Sequence, residues 1–339
     1  MIAAIEAHLP WLCRTSPPND CHGLVDVIAE TRGVPPGNIL VGAGSSDLIF
    51  LALCRWLTPR SRVLILDPTY SEYAHVLERV VGCTVDRFAL DPSAGYRVDV
   101  GRLARAAMSD YDLVVIVNPN SPTGVHMSKV DLERVIEMAA PRTRFWIDET
   151  YVEYAGREHS LEALAARSTN VVVCKSMSKV YALSGLRVAY LCAPAHLLEG
   201  LRALTPPWAV GLIAQVAAVE ALRDPAYYAD RYAETHGLRR VLTDHLNHLG
   251  WDTIEGCANF VLAHLPSDGL TAAELAARAQ SQGVFIRDVS NMGRGFNGRV
   301  VRVAVKDAPT IERMVQVLSQ LASGNSDGNR NGRIIGHCA

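Results

Sequence analysis

Lysine is almost absent from this chain. Of 339 residues only Lys129, Lys175, Lys179 and Lys306 are lysine, and every other cation among the 33 is arginine. Chemistry at a lysine amine is thereby confined to four positions. A basic surplus is missing too: 33 Lys and Arg stand against 35 Asp and Glu, a formal charge of −2. That leaves no electrostatic footprint for nucleic acid. None of the eight cysteines forms a C-x-x-C pair or joins histidine at ligand spacing. This excludes a zinc site and a secreted disulfide framework, and reduced thiols in the cytoplasm are expected. No apolar run approaches the ~20 residues of a membrane span. The opening MIAAIEAHLPWLC also lacks the basic-then-apolar order of a signal peptide.

Apolar residues make up 49% of the chain and charged residues 20%, enough for a large core. The length suggests about two domains. Apolar, β-branched runs alternate with helical stretches. Ile39–Val41, Arg62–Leu66, Thr84–Leu90, Leu113–Val117, Arg144–Ile147, Asn170–Cys174 and Arg187–Cys192 read as strands. Ser71–Val81 reads as one of the intervening helices. Continuous apolar strands separated by helices predict an α/β domain with a mostly parallel sheet covered on both faces. Beyond Arg223-Asp224-Pro225 the long amphipathic stretch Tyr227–Leu249 and the strands Asn259–His264 and Val300–Val305 predict a smaller α+β domain. The expected boundaries are an N-terminal segment 1–35 joining the small domain, a large domain 36–224, a small domain 225–322 and a disordered tail 323–339.

The polar residues of interest follow the C-terminal ends of the predicted strands, where open α/β sheets place their ligands. Gly42-Ala43-Gly44-Ser45-Ser46-Asp47 links a strand to a helix and is a candidate phosphate cradle, although it is neither a Walker loop nor a G-x-G-x-x-G fingerprint. Tyr70, in Asp67-Pro68-Thr69-Tyr70, can stack on a flat ring or simply pack. Asn118-Pro119-Asn120-Ser121-Pro122-Thr123-Gly124 is a rigid turn. Asp148, in Asp148-Glu149-Thr150-Tyr151, can keep a pyridine nitrogen protonated or cap a helix. Lys175-Ser176-Met177-Ser178-Lys179, with Arg187 downstream, reads equally as a phosphate site beside an amine that condenses with an aldehyde, or as a hydroxyl-rich turn with solvated cations.

Together these motifs, in this order, resemble the pyridoxal 5'-phosphate site of the fold-type I, class I/II aminotransferases. The resemblance covers roughly residues 16–321 and is nearest the branch holding histidinol-phosphate aminotransferase and threonine-phosphate decarboxylase. Val34-Pro35-Pro36, Ile39–Gly42, Ala258-Asn259-Phe260, Gly185–Arg187, Ile286-Arg287-Asp288 and Val301-Arg302-Val303 add to it. It implies that Lys179 carries the cofactor, with Lys175 a bystander nearer the strand end. It also implies that Ser45, Ser46, Ser176, Ser178 and Arg187 hold the phosphate and that Tyr70 stacks on the ring. Asp148 would meet the pyridine nitrogen, and Tyr151 with Asn120 or Ser121 would meet the ring hydroxyl. Arg302 would bind a substrate carboxylate and Arg287 a substrate phosphate. Two positions depart from the family. Ser121 replaces its Asn before Pro-Thr-Gly, and Ser16-Pro17 replaces a Tyr-Pro whose tyrosine reaches the neighbouring subunit. The arm before Ser16 is short, which raises the expectation that this chain comes from a truncated gene or is the C-terminal part of a longer polypeptide.

The implied activity is transamination of an amine or amino acid bearing carboxylate, phosphate or phosphonate. The alternatives are decarboxylation, as in the threonine-phosphate branch, and a non-catalytic sensor module. No helix-turn-helix or basic stretch supports the last. A nicotinamide enzyme lacks its glycine fingerprint. The expected partners are a small-molecule substrate and a second copy in a homodimer, without nucleic acid, membrane or metal.

Overall fold

The computed structural model describes residues 1–323. Residues 324–339, most of the expected tail, lie outside the described residues. The chain divides into two compact units. The first comprises Met1–Ser121 and Val125–Tyr232, the second Pro122–Gly124 and the chain from Ala233 onward.

The first unit is built on seven strands: β1 (Ile39–Gly42), β2 (Arg62–Asp67), β3 (Thr84–Ala89), β4 (Leu113–Val117), β5 (Arg144–Asp148), β6 (Val171–Ser176) and β7 (Ala189–Cys192). They lie in the order β1-β7-β6-β5-β4-β2-β3. The pairs β2–β3, β2–β4, β4–β5 and β5–β6 are parallel. Strand β7 runs antiparallel to both β6 and β1, so β1 points the same way as the other five. All five residues of β4 and all six of β6 are buried. Such strands need cover on both faces, which the intervening helices supply. Leu48, Leu53, Val63, Tyr73, Val115 and Trp146 are among the fully buried residues of the core. Because the parallel strands share a direction, their C-terminal ends meet along one edge.

Three details differ from the sequence reading. Residues 1–35, expected with the small domain, pack within the first unit. The helix Ile2–Arg14 lies against the helix Leu212–Leu222, and the helix His22–Arg32 lies against Leu212–Leu222 and β1. The division falls at Tyr232 rather than 224, because the helix Pro225–His248 runs unbroken through the Asp224-Pro225 signal. Proline is tolerated in a first helical turn, where its missing N–H has no partner to lose. Finally, the stretch Ser71–Val81 is α-helical only through His75 and widens to a π turn over Val76–Val81.

The second unit has a four-stranded antiparallel sheet, β10-β11-β9-β8. Its strands are β8 (Asp252–Ile254), β9 (Phe260–His264), β10 (Arg287–Asp288) and β11 (Val300–Ala304). Strands β8 and β10 have three and two residues, too short to show a period in sequence. Val261, Ala263, Val301 and Val303 face Leu242, Leu246 and Val317 in a separate core. The helix Ala272–Ser281 starts with a reciprocal capping box between Thr271 and Glu274, which satisfies two otherwise orphan amides.

Candidate active site

Gly44 opens the helix Ser45–Trp56, whose N-terminus no side chain caps. Its first amides therefore face outward without intrahelical partners. Gly44 has φ +94° and ψ 164°, and a Cβ there would collide with Arg187 Nη2. Only glycine lets the guanidinium come this close to the helix end. Arg187 Nη1 also donates to Ser178 Oγ (3.3 Å) and Ser184 O (3.1 Å). The helix end, Ser178 and Arg187 thus converge, with Lys179 the next residue on the same turn. Ser176 caps that turn, its Oγ accepting from Ser178 N at 3.4 Å. Lys179 and Arg187 are both exposed in this single chain.

Asp148, at the end of β5, is 3% exposed. Thr150 N and Thr150 Oγ1 donate to its Oδ1 at 3.0 and 2.6 Å, and Tyr73 OH donates to its Oδ2 at 2.7 Å. Burial pushes this carboxyl above the ordinary carboxylate range, opposed by the Thr150 and Tyr73 bonds. A carboxylate offers about four acceptor positions. Three are used, so one is left for a donor from a ligand.

Tyr70 is half-buried, edge-on to Tyr73 with ring centroids 6.2 Å apart. Its hydroxyl and that of Ser46 both donate to Glu72 Oε2, at 2.7 and 3.0 Å. Asn120 donates from Nδ2 to Pro68 O (3.0 Å) and accepts from Thr69 Oγ1 (3.3 Å), joining the turns after β2 and β4. Ser121 and Tyr151 are buried, at 3% and 6% exposure. Ser45 is half-buried at the helix start. Arg287 and Arg302 lie on the second unit, directly opposite each other in the β10–β11 register. Arg302 also sits over the Phe260 ring, 4.7 Å from its centroid.

Lys175 is not a solvated cation. At 3% exposure its Nζ lies 2.9 Å from Glu153, 3.3 Å from Glu149 and 3.7 Å from Glu162. Arg32 completes the cluster, 3.0 Å from Glu153 and 3.6 Å from Glu162. Burial works against the lysine's charge, but Glu153, Glu162 and Glu149 outweigh it and push its pKa up. Three carboxyls face two cations, so one carboxyl is in excess. Burial raises Glu149, whereas Lys175 and Arg32 overcome burial at Glu162 and hold it low. Sequence reasoning missed this cluster and also Tyr73, Glu72 and Trp146. The only available signal for Tyr73 and Glu72 was their place in the turn after Tyr70.

A cavity of about 650 Å³ opens at Lys179, lined also by Tyr154, Tyr181, Tyr228 and Tyr232. The site thus offers an exposed amine, an anion cradle and a buried carboxylate with an open acceptor position. The glycine that admits Arg187, together with the spare Asp148 acceptor, fits a phosphorylated pyridine aldehyde.

Residues 18–318 match the family of class I and II aminotransferases. The chain belongs to that family and is a pyridoxal-phosphate-dependent transferase with the type I fold. A histidinol-phosphate aminotransferase of Carboxydothermus hydrogenoformans is 31% identical over 304 residues, 88% of this chain and 82% of that one. Among solved structures, histidinol-phosphate aminotransferase from Sinorhizobium meliloti superposes with TM-score 0.86 at 20% identity, covering 95% and 86% of the two chains. L-threonine-O-3-phosphate decarboxylase from Porphyromonas gingivalis superposes with TM-score 0.82 at 26% identity, covering 95% of each chain.

Proposed function

We propose that this enzyme transfers the amino group of an amine or amino acid carrying a phosphate, phosphonate or carboxylate, in the manner of the histidinol-phosphate aminotransferases it is similar to. The observation that carries the reading is the convergence of Gly44, Ser178 and Arg187 beside Lys179. Support for an anionic substrate comes from Arg287 and Arg302. The two guanidinium groups are paired across β10 and β11, which gathers positive charge at one place on the second unit.

Bound pyridoxal phosphate supplies an aldehyde carbon and a ring that withdraws electrons from the substrate Cα. Ser45, Ser176, Ser178, Arg187 and the helix amides, that of Ser46 included, would hold the phosphate, the Ser46 hydroxyl being donated to Glu72. Tyr70 packs on the ring, and Tyr151, Asn120 and Ser121 bind its hydroxyl. Asp148 Oδ2 would accept a hydrogen bond from the protonated ring nitrogen. Lys179 Nζ would act as general base toward the substrate Cα proton, a role that needs a neutral amine.

A second copy of the chain completes the reading as a homodimer. Support comes from Trp11, Leu204 and Trp208, each more than half exposed in the single chain. The cytoplasm is the proposed location, supported by the free cysteines. Among the described residues no helix is long and apolar enough to cross a membrane.

The test incubates the purified protein with phosphorylated amines and amino acids plus a keto-acid acceptor, following ketone product and CO2. Ketone without CO2 is expected. CO2 without ketone establishes instead a decarboxylase, the activity named for the Porphyromonas gingivalis neighbour. No turnover, despite a visible absorbance band that Lys179→Ala removes, establishes a sensor.

A further inference from the structure

We propose that Tyr73 is a positioning residue that sets the basicity of Asp148, and that Trp146 fixes the direction of its hydrogen bond. The inference rests on the reading that Asp148 meets the cofactor's ring nitrogen. Tyr73 lies on the short helix Ser71–His75 and Trp146 in the middle of β5, both fully buried. Trp146 Nε1 lies 2.7 Å from Tyr73 OH, and Tyr73 OH lies 2.7 Å from Asp148 Oδ2.

The direction of this chain follows from the chemistry of its members. An indole N–H can only donate. Tyr73 oxygen must therefore accept from Trp146, and its own proton goes to Asp148. Tyr73 cannot turn its hydroxyl around without leaving the indole N–H buried and unpaired, which is costly. Burial keeps the phenol protonated, pushing its pKa well above the ordinary tyrosine value. Asp148 thus receives a permanent neutral donor rather than a cation. The other titratable groups facing it are Glu72 and the Cys174 thiol, its register partner on β6. Neither offers a positive charge.

The consequence concerns the proton shared between Asp148 Oδ2 and a pyridine nitrogen. Donation from Tyr73 stabilises the carboxylate, which favours leaving the proton on nitrogen. Without that donation the carboxylate becomes more basic and draws the proton to itself. Wherever the pair shares a single proton, the nitrogen then carries the positive charge for a smaller share of the time. The protonated ring is what withdraws electrons, so Tyr73 acts on the chemistry without touching substrate or cofactor.

The test loads the protein with pyridoxal phosphate labelled with ¹⁵N in the ring and follows the nitrogen resonance against pH. In Tyr73→Phe the protonated share of the nitrogen, read from the resonance where the pair holds one proton, should fall through a roughly tenfold change in the transfer equilibrium. Replacing Tyr73 with 3-fluorotyrosine, a stronger donor of nearly the same shape, should move it the other way. Opposite shifts from two substitutions at one buried site are not a product of damaged packing. The fluorotyrosine protein also carries the test if the Phe variant does not fold. An unchanged resonance, or shifts of the same sign, would overturn the inference while leaving the proposed function standing. If the unaltered chain binds the cofactor with its nitrogen unprotonated, the Asp148 reading itself falls, and this inference with it.

Discussion

Asp148 and Glu149 are consecutive carboxyls at one strand end, yet their surroundings differ in kind. Successive side chains of a strand point to opposite faces. On one face Asp148 meets neutral donors, Tyr73 and Thr150, and keeps one acceptor position open. On the other, Glu149 is closed in. Ser160 Oγ and Leu161 N each donate to it at 2.6 Å, and Lys175 lies 3.3 Å away. Next door on β6, Lys175 joins the closed face, while Ser176 begins the turn that carries Lys179. A buried charge served by neutral donors can still act on a ligand. A buried charge matched by other buried charges is committed to the fold.

This contrast predicts separable losses. Lys179→Ala should lower turnover by roughly 10²–10⁴-fold while leaving thermal unfolding almost unchanged; retained turnover in that variant would erase the distinction. Lys175→Met should do the reverse. It leaves three buried carboxyls with only Arg32 and should destabilise the chain by about 3–5 kcal/mol, read from urea unfolding. The fraction that remains folded should keep its affinity for pyridoxal phosphate. Equal losses of affinity and stability would show that the two faces are not independent.

Gly44→Ala should cost about 1–3 kcal/mol in backbone strain and displace Arg187. Cofactor affinity, measured by titration of the visible band, should weaken by at least tenfold. An unchanged affinity would remove Arg187 from the phosphate site.

The smallest expected effect concerns pH. The native pKa of Glu149 is raised above its unfolded value, so its contribution to stability is full at low pH and is lost as pH rises through the native value. Glu162 is depressed, so its contribution is present above the unfolded value and is lost as pH falls through the native one. Glu149→Gln should therefore remove the loss of stability on the rising side and leave the acid-side loss due to Glu162. Melting temperatures of both proteins from pH 4 to 8 read this directly, and parallel curves would count against the raised pKa of Glu149.

Much of the site was legible because it is local. Gly44, Tyr70, Asp148, Ser178, Lys179 and Arg187 each sit in a short motif at a strand end, and strand direction alone brings those ends to one edge. The scarcity of lysine narrowed the amine to Lys179 among four. What was not legible is contact across distance. Tyr73 reaches Asp148 from 75 positions away, and Arg32 reaches Glu153 from 121. No local pattern announces such pairs. Ser46 shows the same limit: its hydroxyl is spent on Glu72, an acid that no motif marks.

By itself, the sequence determined the sheet, because runs such as Leu113–Val117 are apolar throughout and can be satisfied only between two layers of helix. It also singled out Lys179 from Lys175 as the candidate amine, by its place after Ser-x-Ser and ahead of Gly-Leu-Arg. The tertiary structure alone decided the fate of neighbouring charges. Lys175 and Lys179 are four residues apart and chemically identical, but one is sealed among three carboxylates and the other opens into a cavity. That difference arises from packing, which sets the distance between groups far apart in the chain and so decides which charges are enclosed in the fold and which face a cavity.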